Sequence, residues 1–128
     1  MNKTRKRIIL VDDIVSNLDL GRVMLKPFFE VYPAASAAKL FNLLEVFIPD
    51  LILLDIEMPE INGYEAMKML KEDDRYVGIP VIFLTANESE SGEQEGYGLG
   101  AADYVTKPFS VQILLNRIEK LLPAIPEQ

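Results

Sequence analysis

The chain has no cysteine and no histidine. The first absence excludes disulfides, thiolate metal sites and thiol catalysis. The second removes catalytic triads, imidazole general bases and zinc-histidine centres. A metal held by these side chains has to be hard and oxygen-ligated, which means magnesium, manganese or calcium. Positive charge is scarce too: 13 Lys and Arg face 20 Asp and Glu, a net charge of −7. That balance argues against a domain that grips nucleic acid or an anionic membrane unaided. Long apolar runs are also missing. Met1 to Arg7 is basic like the start of a signal peptide, but only Ile8 to Val11 follow before Asp12, too few for its apolar region. No stretch approaches membrane-spanning length. A cytoplasmic protein is expected.

What is present suits a packed domain. In 128 residues, 49% are apolar, enough for one domain with a real core. The stretch Leu51-Ile52-Leu53-Leu54 is wholly apolar and ends in Asp55. A short apolar run between turn signals reads as a strand buried on both faces. Ile8 to Val11 is a similar run and ends in Asp12-Asp13. Asn17 can cap a helix from about Leu18 to Lys26, which Pro27 stops. Phe28 to Tyr32 reads as a second strand, and Ala35 to Phe47 as a second helix with Ala37, Phe41 and Leu44 at helical spacing. A third helix is expected from Gly63 to Glu72, a fourth strand over Pro80–Leu84 ending in Thr85, and a fourth helix opened by Asn87 with Glu90 at the capping-box position. Ala102 to Thr106 reads as strand five, ending in Lys107-Pro108. Ser110 then caps a last helix whose Val111, Leu114, Leu115, Ile118, Leu121 and Leu122 recur at 3–4 spacing.

Strand and helix thus alternate five times with short connections, which predicts a parallel sheet covered on both faces. Ligands of such sheets bind at the carboxyl ends of the strands. One rim would therefore collect Asp12 and Asp13, Asp55, Thr85 and Lys107. Clustered carboxylates repel one another and need either raised pKa values or a bound cation. With oxygen ligands alone, Mg²⁺ is the natural occupant. Lys107 adds a second positive charge and Thr85 a hydroxyl, the parts that phosphoryl transfer to a carboxylate nucleophile requires.

Five blocks carry a resemblance: Val11-Asp12-Asp13, Leu53 through Pro59, Asn62-Gly63, Leu84-Thr85-Ala86, and Asp103 through Phe109. Together, in order and at strand ends, they resemble the receiver domain of two-component response regulators, of the chemotaxis-regulator kind. The resemblance implies a flavodoxin-like, doubly wound sheet of order 2-1-3-4-5 with five helices, a receiver domain over 1–122, and 123–128 as a tail or linker start. It implies Asp55 as phosphoacceptor for a histidine kinase or phosphotransfer protein. Asp13 would ligate Mg²⁺ directly, Asp12 through water, and Glu57 through its backbone carbonyl, with Asp55 in the same shell. Lys107 would pair with phosphoryl oxygens, aimed by a cis bond to Pro108, and Thr85 would move to hydrogen-bond them. Tyr104 would be the aromatic switch. The fourth helix, fifth strand and fifth helix would form the face that meets a downstream protein, a fused output domain or a second copy in a phosphorylation-dependent homodimer. The domain would not be an enzyme beyond its own phosphorylation and dephosphorylation. The rival readings are a Mg²⁺-dependent phosphohydrolase with an Asp nucleophile, and a flavodoxin-like binding module. Finally, Gly92, Gly96, Gly98 and Gly100 fall close together. Glycine costs roughly 1 kcal/mol against Ala in a helix interior, so the fourth helix is expected to be marginal and to reorganise on phosphorylation.

Overall fold

A computed structural model describes residues 5–86, 90–107 and 110–122, with the side chains of 90–93 excepted. The strands are β1 (Arg7–Val11), β2 (Glu30–Ala34), β3 (Leu51–Asp55), β4 (Val81–Thr85) and β5 (Asp103–Thr106). They alternate with α1 (Val15–Leu25), α2 (Ala37–Leu44), α3 (Gly63–Lys71), α4 (Glu90–Gly98) and α5 (Val111–Leu121). All neighbouring strands pair in parallel, in the order β2-β1-β3-β4-β5. This is the expected doubly wound order.

Successive strand side chains point to opposite faces, and each face has its own core. Ile9, Val11, Ile52, Leu54, Val81 and Phe83 meet the inner residues of α2 and α3. Ile8, Leu10, Leu51, Leu53, Ile82 and Leu84 meet α1 and α5. Leu51 to Leu54 are each 0% exposed, and burying a side chain of this kind contributes about 1.5–3 kcal/mol. β3 is therefore fixed from both sides, and Asp55 is the first charge where it leaves the core.

Several boundaries differ from the sequence reading. α1 begins at Val15, and its N-cap position is Ile14 with no side-chain bond. Asn17 does not cap it; its amide turns to Asp12 instead. β2 starts at Glu30, two residues late, because Phe28 and Phe29 still donate backbone bonds to Leu25 and Phe29 is buried under the end of α1. β2 also runs through Pro33. Proline is tolerated there because β2 is an edge strand, where a missing N–H need not break a ladder. α2 is shorter than expected, with Ser36 accepting from the Lys39 N–H. α3 starts at Gly63 as read, with Asn62 as its cap, and α5 starts after the expected Ser110 cap. The Asn87 cap and its box, the Lys107–Pro108 bond and the tail from 123 lie outside the described residues. Among the described residues, no helix is long and apolar enough to cross a membrane.

Candidate functional site at the carboxyl rim of the sheet

The parallel register carries the rim residues to one end. Val11 pairs with Leu54, Asp55 with Leu84, and Thr85 with Thr106. Asp12, Asp55, Thr85 and Lys107 thus follow or end adjacent strands. Backbone bonds then fix the loops. Asp12 N donates to Ala34 O at 3.1 Å, and Lys107 N donates to Thr85 O at 2.7 Å. After Asp55 the chain turns sharply, and Gly63 N returns to Ile56 O at 2.8 Å.

Asp12, Asp13 and Asp55 each present a carboxylate oxygen, and the three oxygens lie within 4.8 Å of one another. Asp12 and Asp55 are 4% and 7% exposed, while Asp13 is half-buried. Lys107 Nζ sits 3.0 Å from Asp12 Oδ2 and 3.8 Å from Asp55 Oδ1. Asp12 is held further by the Ile14 N–H on Oδ1 at 2.9 Å and by Asn17 Nδ2 on Oδ2 at 3.2 Å. Asn17 is a site residue that sequence reasoning missed, having treated it as a helix cap. Its place in the first turn of α1, four residues after Asp13, was the available signal.

Burial pushes the Asp55 carboxyl up to about 6, opposed by the Lys107 ammonium and reinforced by the charges of Asp12 and Asp13. A buried carboxyl beside two others is charge-frustrated when alone. A hard divalent cation is what such an all-oxygen group accommodates. The donor set therefore fits Mg²⁺.

The other expected residues fall as follows. Thr85 is fully buried at the end of β4. Glu57 is exposed, so its carboxylate is not part of the buried group. Tyr104 is 6% exposed and lies in the core, its ring edge-on to Phe83 at a 6.4 Å centroid distance. A cleft of about 250 Å³ opens beside the group, lined by Leu10, Asp12, Asn17, Met24, Lys107 and Leu114 among others.

Comparison with known proteins bears on this arrangement. The family model for the response regulator receiver domain matches residues 8–119. The chain is 36% identical over 117 residues to the DNA-binding dual master transcriptional regulator RpaA of Synechocystis, covering 91% of this chain and 48% of that protein. It is 36% identical over 118 residues to the phosphate regulon transcriptional regulatory protein PhoB of Pseudomonas aeruginosa, covering 91% and 52%. The chain thus spans about half the length of these relatives. Its fold resembles the chemotaxis protein CheY4 of Vibrio cholerae with a TM-score of 0.86 at 27% identity, covering 92% of this chain and 99% of that one. These likenesses favour neither a phosphohydrolase nor a flavodoxin-like module.

Proposed function

The chain belongs to the response-regulator receiver family, and from that premise we propose that Asp55 is the phosphoacceptor of a two-component signalling switch. The observation that carries this reading is the Asp12, Asp13 and Asp55 group with Lys107 bonded across it. Asp55 Oδ attacks the phosphorus of a phosphohistidine on a kinase or phosphotransfer protein. The O–P bond forms as the P–N bond breaks, and the imidazole leaves. Asp13 would hold Mg²⁺ directly, Asp12 through water, and Glu57 by its backbone oxygen. Charge neutralisation on the transferring phosphoryl group is the chemistry that the ion would supply when bound. Lys107 exchanges its contact with Asp12 for the phosphoryl oxygens, and the Thr85 hydroxyl donates to the same group. Exposed Ile14 and Val15, 52% and 64% accessible beside the rim, offer apolar contact to a protein donor. The output passes through the face made by α4, β5 and α5 to a downstream protein, a further domain or a second copy. The domain works in the cytoplasm.

The test is phosphorylation in Mg²⁺ with acetyl phosphate as a small donor. One acid-stable, base-labile adduct is expected by intact mass. Asp55→Asn should abolish it, and chelation of Mg²⁺ should prevent it. An adduct that survives Asp55→Asn would overturn the assignment, and steady release of phosphate from many esters would favour a hydrolase.

A second expectation concerns stability without metal. The folded state raises the Asp55 pKa from 3.8 to about 6, so folding favours the protonated carboxyl. That stabilisation is full below pH 4 and is lost as pH rises through about 6. Asp55→Asn is neutral at every pH, so in EDTA it should match wild type near pH 4 and exceed it above pH 6. The gain should be about 1–2 kcal/mol, less than the full shift implies, because Lys107 loses a partner. Urea unfolding at pH 4, 5, 6 and 7.5 measures this, and a gain that does not vary with pH would contradict it.

A further inference from the structure

One carboxylate oxygen outside the rim collects donors from three elements. Asp103 Oδ1 accepts from Arg117 Nη1 of α5 at 2.7 Å, from the Tyr104 N–H at 2.8 Å, and from the Tyr97 hydroxyl of α4 at 3.1 Å. Asp103 opens β5, directly before the buried Tyr104. The bond to the next residue's N–H is a local one that Asp, Asn and Ser commonly make. Donors from two separate helices are not needed for that local role.

The packing around Tyr104 makes the convergence consequential. The Tyr97 ring lies 6.4 Å from the Tyr104 ring, so anchoring the Tyr97 hydroxyl also sets where its ring meets Tyr104. The previous residue is Gly96, which is buried. A Cβ there would lie 3.0 Å from Phe83 Cδ2 and 3.2 Å from Tyr104 Cδ2. The last turn of α4 therefore sits close on the two rings, and Tyr97 and Asp103 hold it there. Arg117 brings α5 to the same oxygen.

We propose that Asp103 is a positioning residue: it joins α4, the Tyr104 segment and α5 so that displacement of one is felt by the others. This rests on the reading of Tyr104 as the residue that carries the state of the rim. Because the donors share one acceptor, removing either helix-borne donor alters the bond that the Tyr104 N–H makes. The Tyr104 amide proton should therefore report on substitutions in either helix.

The test uses the full chain, ¹⁵N-labelled, with amide exchange and the Tyr104 amide shift as readouts. Tyr97→Phe removes a single oxygen. It should speed exchange over residues 94–99 by about three- to ten-fold, the range for losing one ordinary hydrogen bond, since exposure to solvent discounts the carboxylate's charge, and leave α5 unchanged. Arg117→Met should do the converse. Asp103→Ala should loosen both helices, while Asp103→Asn, which keeps an acceptor oxygen, should restore much of the protection. The Tyr104 amide should move in Tyr97→Phe and in Arg117→Met. Unchanged exchange over 94–99 in Tyr97→Phe, or a stationary Tyr104 amide in both variants, overturns the proposal.

Adding Mg²⁺ and acetyl phosphate tests the coupling itself. In wild type both α4 and α5 should respond. In Asp103→Ala the α5 response should be lost, and a response equal to wild type in both helices refutes the joint. If wild type takes up no phosphate by mass, the phosphoacceptor reading fails, and the exchange pattern without phosphate decides the joint by itself.

Discussion

Helices α3 and α4 are each nine residues long, and each follows a strand that ends in a rim residue. They are held in opposite ways. α3 carries its own instructions. Asn62 Oδ1 accepts from Glu65 N and Glu65 Oε1 accepts from Asn62 N, both at 2.9 Å, so a complete capping box opens it. Lys68 and Lys71 lie in its last turn, where cations suit the helix dipole. Gly63, Ala66, Met67 and Leu70 form its buried side. α4 reads ESGEQEGYG, with no basic residue in its last turn. Among its residues with described side chains, only Gly96 is buried. Among the described residues, what holds α4 comes from outside: the rings of Phe83 and Tyr104 beneath Gly96, and Asp103 for Tyr97. A helix fixed by its own sequence stays put when its neighbours change. A helix placed by its neighbours moves with them, and α4 is built in that second way. Switching elements are drawn from segments of low local stability, and the exchange measurements below test whether α4 is one.

The largest test of this contrast is Gly63→Ala. An added Cβ would overlap the carbonyl oxygen of Asp55 and lie 2.7 Å from Ile56 Cα. Both neighbours are backbone, of the last residue of β3 and of the residue after it, so neither can swing aside. The expected loss is about 3 kcal/mol, the upper end of overpacking costs, read as a lower urea midpoint. Phosphate uptake should fall as well, because the turn after Asp55 must shift. A variant as stable as wild type would mean that α3 is not locked to the Asp55 backbone, and the two helices would then differ less than their sequences do.

The same contrast governs what could be read without coordinates. The sheet and its rim were legible, because apolar runs ending in Asp12, Asp55 and Thr85 report burial and its limit directly. The start of α3 was legible too, since Asn62 and Gly63 are local signals with local consequences. The start of α1 was not. Asn17 has the chemistry of a cap, but Asp12, with a buried carboxylate to satisfy, takes its amide instead. β2 was misplaced because aromatic Phe28 and Phe29 look like strand, and only the packing of Phe29 under α1 says otherwise. Asp103 was legible as part of a motif, but its two helix-borne donors were not. They sit 6 residues before it and 14 after it, and only the fold brings them together. For α4, counting glycines predicted weakness, yet the glycines are not equivalent. Gly96 lies so close to two rings that an added Cβ would make them give way slightly, Gly100 has a φ of 102° that other residues resist, and Gly98 has nothing within 4 Å of an added Cβ.

That inequivalence supplies the smallest and most discriminating test. Gly98→Ala adds a methyl into open space, so only helix propensity changes. In a helix interior the gain would be up to about 1 kcal/mol, and at the last helical residue it should be about half that. Exchange over 94–99 should slow by about two-fold, while the ring resonances of Phe83 and Tyr104 stay where they are. Gly96→Ala makes the same chemical change two residues earlier. There the propensity gain is offset because the Phe83 and Tyr104 rings must yield by a few tenths of an ångström. Its stability should therefore stay within about 0.5 kcal/mol of wild type, and both rings should shift. If Gly96→Ala moves neither ring, α4 does not rest on Tyr104, and its position cannot be read from that residue. If Gly98→Ala leaves exchange unaltered, glycine content does not set the stability of α4, and the lack of a basic last turn and of buried side chains over residues 94–98 is what separates it from α3.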